Sequence, residues 1–585
     1  MVIRLSFAHW LMLMGAVGLF FGNANPVLHI PLAALAYPAC LSLLAREEHS
    51  FRRGWLCGLA GAAAALYWIS WAVHDYGGFP WPLAVPCAVL PGAWVGLWGG
   101  LFCFCLSRFC HAPGFGLLRR ALAVGLLWYL LEWTRGWFAT GFPWLTLGAA
   151  QARWPLLIQG ASVIGDYGLS GLFAGMACLF ADIVHGTLKG EWAGRGRKYA
   201  VSLAALMLLA AFIAGFGAWR LEFLPLRDPL AATPTDTASG EAGPGDSGGL
   251  TIALVQGNVS QDIKWVPSFQ ESTVDKYLGL SRMAFATRED AERPDLVVWP
   301  ETAMPFYVQL GGELPARLRE FAREHAVWLL FGGPARETAT DVSGDGMKEG
   351  AGGEGEKTVD AALRNRAFLL DSFGVPAGHY DKRHLVPFGE YIPPFLDLPL
   401  FEPLLQGVGG FSPGEEYSPL TVRNRQGEQI RLGLLICYEA IFPEIAREHV
   451  AAGAEVLLNI SNDGWYGKSS APAQHLYLSI MRAVEQRRWL ARGTNTGLTA
   501  FADPAGRLWT LGGADPESGM GLFENAWLTG KVRPETQRSM YFLLHPWLPA
   551  LALAMLLLVS SFPLFSAASG LSGRRSHEPG RNPFA

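Results

Sequence analysis

The chain has 585 residues, room for about three or four domain-sized units, yet 51% of it is hydrophobic, only 16% is charged and 22 residues are tryptophan. That balance excludes an ordinary water-soluble protein throughout and points to a membrane part joined to a soluble part. A formal net charge of -4 with no long basic stripe excludes nucleic acid as an expected partner.

Seven apolar stretches precede residue 220, at 7–22, 27–45, 55–73, 82–107, 121–134, 156–184 and 199–219, and an eighth spans 546–568. Most reach the roughly 20 residues a helix needs to cross about 30 Å of hydrocarbon; 121–134 is short and has to extend through Glu132 or lie partly re-entrant. The first runs through "FFGNANPVLHIPL" straight into further spans, so it reads as a membrane helix and not as a removed leader. Basic residues gather on alternate loops: Arg4; then Arg46, Arg52 and Arg53; then Arg108, Arg119 and Arg120; then Lys189, Arg195, Arg197 and Lys198; finally Arg574, Arg575 and Arg581. The intervening short loops carry only Arg135 and Arg153. The positive-inside rule then predicts cytoplasmic termini, with 220–545 on the opposite face. Glu132, Arg135, Asp166 and Asp182 fall at or near helix boundaries, where an interior functional charge and a solvated helix end both remain open.

The expected organisation is a seven-helix membrane domain over 1–220, a Pro/Gly/Ser-rich linker over 221–249, a soluble domain over 250–540, a C-terminal transmembrane helix over 541–569 and a basic tail over 570–585. A low-complexity insertion at 336–357 reads as a surface loop. In the soluble part, 250–258, 295–300, 327–333, 367–374, 430–437, 455–461 and 498–504 read as strands, while 313–326 and 472–493 have helical spacing. Such alternation predicts an α/β layered domain with its active groups at strand ends.

Of the eight cysteines, Cys40, Cys57, Cys87, Cys103, Cys105 and Cys178 lie in apolar segments and Cys110 beside one, as small buried hydrophobes do. No Cys-x-x-Cys spacing suggests zinc or a redox pair. Cys437 differs: it ends the strand "LGLLIC" and precedes a helix, so the chain turns at the sulfur. A strand-to-helix turn exposes its side chain and aims N–H groups at it, lowering a thiol pKa; a buried core cysteine is the alternative. Glu301 ends "DLVVWPE", where a partly desolvated base could sit, or a solvated loop acid. Lys382 and Glu390 share "GHYDKRHLVPFGEYIP", where a lysine could stabilise a tetrahedral intermediate or lie on the surface. His384 and His475 lack partners at ligand spacing and read as structural, so neither metal nor cofactor is expected.

Glu301, Lys382 and Cys437, each at a strand end, resemble the Glu-Lys-Cys triad of the nitrilase superfamily, with "WPET", "YDKRHLVPFGEYIP" and "ICYEAIFPE" similar to its three motifs. "GNVSQDIKW", "NISNDGWYG" and "RGWFATGFPWLTLG", together with the spans, narrow the resemblance to the apolipoprotein N-acyltransferase family. The resemblance implies a multi-span α-helical membrane domain plus an α/β nitrilase-like αββα sandwich. It implies a monomer in a bacterial inner membrane with its soluble domain periplasmic. It implies a ping-pong acyl transfer from a phospholipid to the α-amino group of a diacylglyceryl-apolipoprotein through a thioester on Cys437, with Glu301 as base and Lys382 as oxyanion stabiliser. Glu390, Tyr438 and Glu439 are implied as supporting residues, and Trp265, Phe388, Tyr391 and Trp465 as substrate-binding; packing remains an alternative for the two tryptophans, and Asn365 and Asn462 could be turn residues. Residues 391–411, rich in Phe and Leu, are expected to form a lid touching lipid or to pack as core. A membrane-tethered nitrilase-type amidase is the rival reading, since the triad suits both chemistries.

Overall fold

A computed structural model describes residues 6–109, 116–224, 228–230, 248–286, 293–336, 362–392, 410–513 and 515–571. The 336–357 insertion (except Arg336), most of the linker, nearly all of the expected lid, Cys110 and the basic tail (570–585, apart from its first two residues) lie outside these. The N-terminal half is helical: α1 (Phe7–Phe21), α2 (Ala36–Leu44), α3 (Ser50–Ala65), α4 (Ile69–Asp75), α5 (Trp81–Phe109), α6 (Leu117–Trp137), the single turn α7 (Pro155–Ile158), α8 (Ala161–Leu188) and α9 (Trp192–Phe223). Among the described residues Trp81–Arg108, Ala161–Leu188 and Gly194–Phe223 are long and apolar enough to cross a membrane, α3 and α4 form a further pair bent by 56°, and Phe7–Phe21, Pro31–Leu44 and Leu548–Ser561 are shorter apolar helices.

Several expected spans differ in detail. The 27–45 stretch is not one helix, because the Asn25 carboxamide accepts the N–H groups of Val27 and Leu28 at 2.9 Å each and turns the chain before a 3₁₀ turn at Pro31–Leu35. The 55–73 stretch breaks where Leu66 leaves helical geometry (φ -99°, ψ 18°). The short 121–134 stretch belongs to a longer helix, since Arg119 and Arg120 lie inside α6 and not in a loop: Arg120 is buried against Asp182 at 3.1 Å, and Arg119 donates to the Val559 carbonyl. Likewise Arg195, Arg197 and Lys198 sit in the first turns of α9. Glu132, Arg135, Asp166 and Asp182 are all buried, which removes the solvated-end reading: Trp128 donates to Glu132 at 3.0 Å and Thr146 to Asp166 at 2.8 Å.

The second half contains β1 (Leu250–Gln256), β2 (Leu296–Val298), β3 (Trp328–Arg336), β4 (Leu363–Leu370), β5 (Pro376–Asp381), β6 (Leu420–Arg423), β7 (Gln429–Ile436), β8 (Val456–Ser461), β9 (Leu490–Thr494), β10 (Ala500–Ala502), β11 (Leu508–Thr510) and β12 (Ala526–Val532). Its helices are α10 (Gln261–Lys264), α11 (Gln270–Ala286), α12 (Glu313–His325), α13 (Pro443–Ala451) and α14 (Ala471–Gln486), followed by α15 (Met540–Leu544) and α16 (Leu548–Leu571). The strands make two six-stranded sheets, β12–β1–β2–β3–β4–β5 and β11–β10–β9–β8–β7–β6. In each, three neighbouring strands are parallel only at the centre, β1–β2–β3 and β7–β8–β9, with antiparallel pairs outside.

The pleat explains why these strands are apolar at nearly every position. Ile252 and Leu254 point inward, meeting Leu432, Leu434 and Leu458 of the opposite sheet, whereas Ala253 and Val255 point outward beneath α11 and α12. Helices α13 and α14 cover the other sheet, so the layers run αββα. All sixteen residues of α14 are buried, because its outer face meets the membrane half. The expected helix over 472–493 stops at Gln486: Arg487 takes a left-handed conformation (φ 53°), and the following residues pair with β8 and β10 as β9.

Candidate active site

Glu301 stands three residues beyond β2, Lys382 directly after β5 and Cys437 directly after β7, and the sandwich brings these three strand ends together. The Lys382 Nζ lies 3.2 Å from the Glu301 Oε1 and 2.9 Å from the Glu390 Oε1. The Asn365 amide, carried on β4, donates to the same two oxygens at 2.8 Å each, and the Asn462 N–H donates to the Glu301 Oε2 at 3.0 Å. Asn365 and Asn462 are therefore parts of the site and not merely turn residues. The Glu390 Oε2 accepts the Val386 N–H at 2.8 Å.

Backbone strain marks the site at the thiol and beside the carboxylate. Cys437 has φ 53° and Thr302, next to Glu301, has φ 48°; both are left-handed conformations unusual for residues with a Cβ, and such strain persists only where surroundings hold it. At Thr302 the holding element is β3: a Cβ on Gly332 would stand 2.5 Å from the Thr302 nitrogen and 2.7 Å from the Glu301 Cα, so only glycine permits that approach. At Cys437 the carbonyl is within 3.1 Å of the His475 Nε2, whose other nitrogen faces Asp463 at 3.3 Å; Asp463 also pairs with Arg492 at 2.8 Å. His475 is thus structural, as expected.

Burial acts on every charge here. It opposes the Lys382 ammonium, yet Glu301 and Glu390 beside it hold Lys382 well above the usual lysine range. Burial likewise opposes the Glu301 carboxylate, but Lys382 and the Asn365 hydrogen bond keep it below the usual carboxylate range. The Cys437 thiol is pushed up to about 12 by burial and by the Glu301 charge, against the pull of Lys382. This corrects the expectation of a lowered thiol pKa: the strand-to-turn geometry is present, but the sulfur is buried and faces a carboxylate. The resting site is an ionised Glu301–Lys382 pair beside a neutral thiol.

Glu439 fastens the cysteine segment to the lysine segment. Its carboxylate accepts the N–H groups of Ile436 (2.7 Å), Arg383 (2.7 Å) and His384 (3.2 Å) and the Tyr380 hydroxyl (3.0 Å), while burial pushes it up to about 7. The Tyr438 hydroxyl donates to the Gly141 carbonyl of the membrane half at 3.2 Å. His384 packs on Phe442 at 3.9 Å between ring centres. Trp265, Phe388 and Trp465 are 48%, 52% and 40% exposed, which disfavours core packing for the tryptophans, and Tyr391 is half-buried. Trp465 packs edge-on against Tyr76, the residue that follows α4, at 4.8 Å between ring centres. Lys264 and Gln261, beside the site, carry no signal in the sequence beyond their place in "SQDIKW", next to Trp265.

Two facing sheets between helix layers, with a carboxylate, an ammonium and a thiol converging from strand ends, define a nitrilase-type α/β domain, here joined to a bundle of apolar helices. Residues 251–521 match the carbon-nitrogen hydrolase family, and residues 16–179 match the apolipoprotein N-acyltransferase N-terminal domain. The chain is 37% identical over 513 residues to the apolipoprotein N-acyltransferase of Geobacter metallireducens, covering 87% of each chain. It is 31% identical over 559 residues to that of Methylococcus capsulatus, covering 94% of this chain and 95% of the relative. Among solved structures, an amidase from Nesterenkonia sp. is 20% identical with a TM-score of 0.32, covering 49% of this chain and 92% of the amidase. The chain belongs to the apolipoprotein N-acyltransferase family.

Proposed function

We propose that the protein transfers an acyl chain from the sn-1 ester of a phospholipid, phosphatidylethanolamine for preference, to the α-amino group of a diacylglyceryl-cysteine at the N-terminus of an apolipoprotein. The observation that carries this reading is the buried Glu301–Lys382–Glu390 cluster beside Cys437, on a domain seated against apolar helices. Glu301 takes the thiol proton as the sulfur attacks the ester carbonyl, and Lys382 stabilises the oxyanion. The S–C bond forms, the ester C–O bond breaks, and the proton passes through Glu301 to the departing lysophospholipid. In the second half the amine attacks the thioester, the N–C bond forms, the C–S bond breaks, and a proton returns to Cys437. A neutral resting thiol suits this sequence, because proton transfer and attack occur together and no exposed thiolate waits in solvent.

Trp265, Phe388, Tyr391 and Trp465 form the lipid-contacting rim, and Glu390 and Glu439 hold Lys382 and the two motif segments in place. The protein acts as a monomer in the inner membrane, with its catalytic domain periplasmic and both termini cytoplasmic. The test is to incubate the purified protein with a phospholipid labelled in its sn-1 chain and to weigh the peptide containing Cys437. An acyl adduct is expected, absent in Cys437→Ala and discharged as an amide by a diacylglyceryl-cysteinyl peptide. Discharge by water, with no amide formed, refutes the transferase reading and restores the amidase.

A further inference from the structure

Beside Glu301 lies a second buried lysine that the proposed reaction does not use. Lys264 ends the single turn α10, is 1% exposed, and donates from Nζ to the Thr302 hydroxyl at 2.6 Å. Its hydrogen bond thus goes to a neutral oxygen. Burying an ammonium in that way is costly, and here burial pushes it down to about 7 against the attraction of Glu301. Thr302 is the residue in left-handed conformation immediately after Glu301, so the hydrogen bond grips the strained peptide that aims the carboxylate. From the other end of the same turn the Gln261 amide exchanges two hydrogen bonds of 3.1 Å with Asn462, whose N–H meets the Glu301 Oε2 at 3.0 Å. The turn therefore reaches both sides of the carboxylate, and its next residue, Trp265, is half exposed.

We propose that Lys264 is a positioning residue for Glu301: through Thr302 it fixes the carboxylate in line with Cys437, and the turn it ends joins that carboxylate to the exposed Trp265. This rests on the reading of Glu301 as the base. Misplacing a reacting group by about 1 Å costs on the order of a hundredfold in rate, so loss of the brace slows chemistry without weakening lipid binding.

The experiment measures the single-turnover rate of thioester formation on Cys437 and the phospholipid concentration at half-saturation, in the full-length protein. Lys264→Met and Thr302→Val, which keep volume but lose the hydrogen bond, are expected to slow thioester formation at least about tenfold with half-saturation unchanged. Thr302→Ser, which keeps the hydroxyl, restores the rate, and the Lys264→Met/Thr302→Val double variant is no slower than Lys264→Met alone. Lys264→Met and Thr302→Val acylating at the unsubstituted rate, or Thr302→Ser as slow as Thr302→Val, overturns the proposal. If Lys264→Met does not fold, the Thr302→Val and Thr302→Ser pair decides it. Glu301→Gln run alongside separates the two readings: a Glu301→Gln variant that still acylates removes the base itself, whereas an inactive one beside a fully active Lys264→Met removes only the brace.

Discussion

Replacing Asn365 by aspartate tests whether the cluster around Lys382 acts as described. The Asn365 amide donates to one oxygen each of Glu301 and Glu390 at 2.8 Å. An isosteric carboxylate would place a third negative charge at those distances. At an effective dielectric of about 20, two unit charges 2.8 Å apart repel by roughly 6 kcal/mol. That repulsion is equivalent to about four pKa units. Lys382 is already shared between two carboxylates, and the nearby Lys264 already acts on Glu301, so neither neutralises the newcomer. The introduced carboxyl therefore keeps a proton, with a pKa raised well above the ordinary value. Below that raised pKa it still donates one hydrogen bond and the site works; as pH rises through it, the proton leaves, repulsion displaces Glu301, and thioester formation is lost. In the unsubstituted protein Glu301 is held below, and Lys382 above, their usual ranges, so neither group produces such a fall near neutrality. The assay is the rate of acyl-adduct formation on Cys437 from about pH 5 to about pH 9, the range between ordinary carboxylate and lysine titrations. A profile for Asn365→Asp with no decline toward alkaline pH would refute the reasoning.

Three further outcomes follow from the same geometry. The transfer half-reaction should rise with pH through about 8, where an α-amino group loses its proton, while thioester formation shows no matching rise; stopped measurements of each half-reaction check this, and a rise confined to thioester formation would contradict it. Gly332→Ala puts a Cβ 2.5 Å from the Thr302 nitrogen, so the peptide beside Glu301 must move, and thioester formation is expected to fall by on the order of a hundredfold, read by the same adduct assay. Gln474→Met should lower the melting temperature in detergent: Gln474 accepts the indole N–H groups of Trp68 (3.1 Å) and Trp144 (2.8 Å), and each buried donor left unpaired costs roughly 1–3 kcal/mol. An unchanged melting temperature would show that the contact does not hold the two halves together.

What could be read from the chain, and what could not, follows from how far each residue's partners lie along it. Strands β1, β2, β3, β7 and β8 are legible because both their faces are covered, which leaves uninterrupted Leu, Ile and Val, and the chemistry-bearing residues stand directly after such runs. Two others are not: the edge strand β5, "PAGHYD", is mostly solvent-facing and has no apolar face to register, and β9, central in its sheet, hides behind a helix that only the left-handed Arg487 terminates. Asn365 reads as a turn residue because its partner Glu301 is 64 positions away, and Lys264 as an ordinary lysine because Thr302 is 38 away. The thiol illustrates the same limit with the opposite sign. Local geometry at Cys437 argues for a lowered pKa, whereas the enclosure that raises it comes from segments distant in sequence. The coupling between the two halves is the least legible feature of all. Gln474 holds Trp68 and Trp144 of the membrane half, and the next residue, His475, holds the Cys437 carbonyl, so one turn of α14 ties the seat of the nucleophile to the apolar bundle. On the proposed reading, a site that takes its acyl chain from a bilayer is thereby built on the helix that meets the apolar bundle, and its reach toward lipid is set by packing that no single motif encodes.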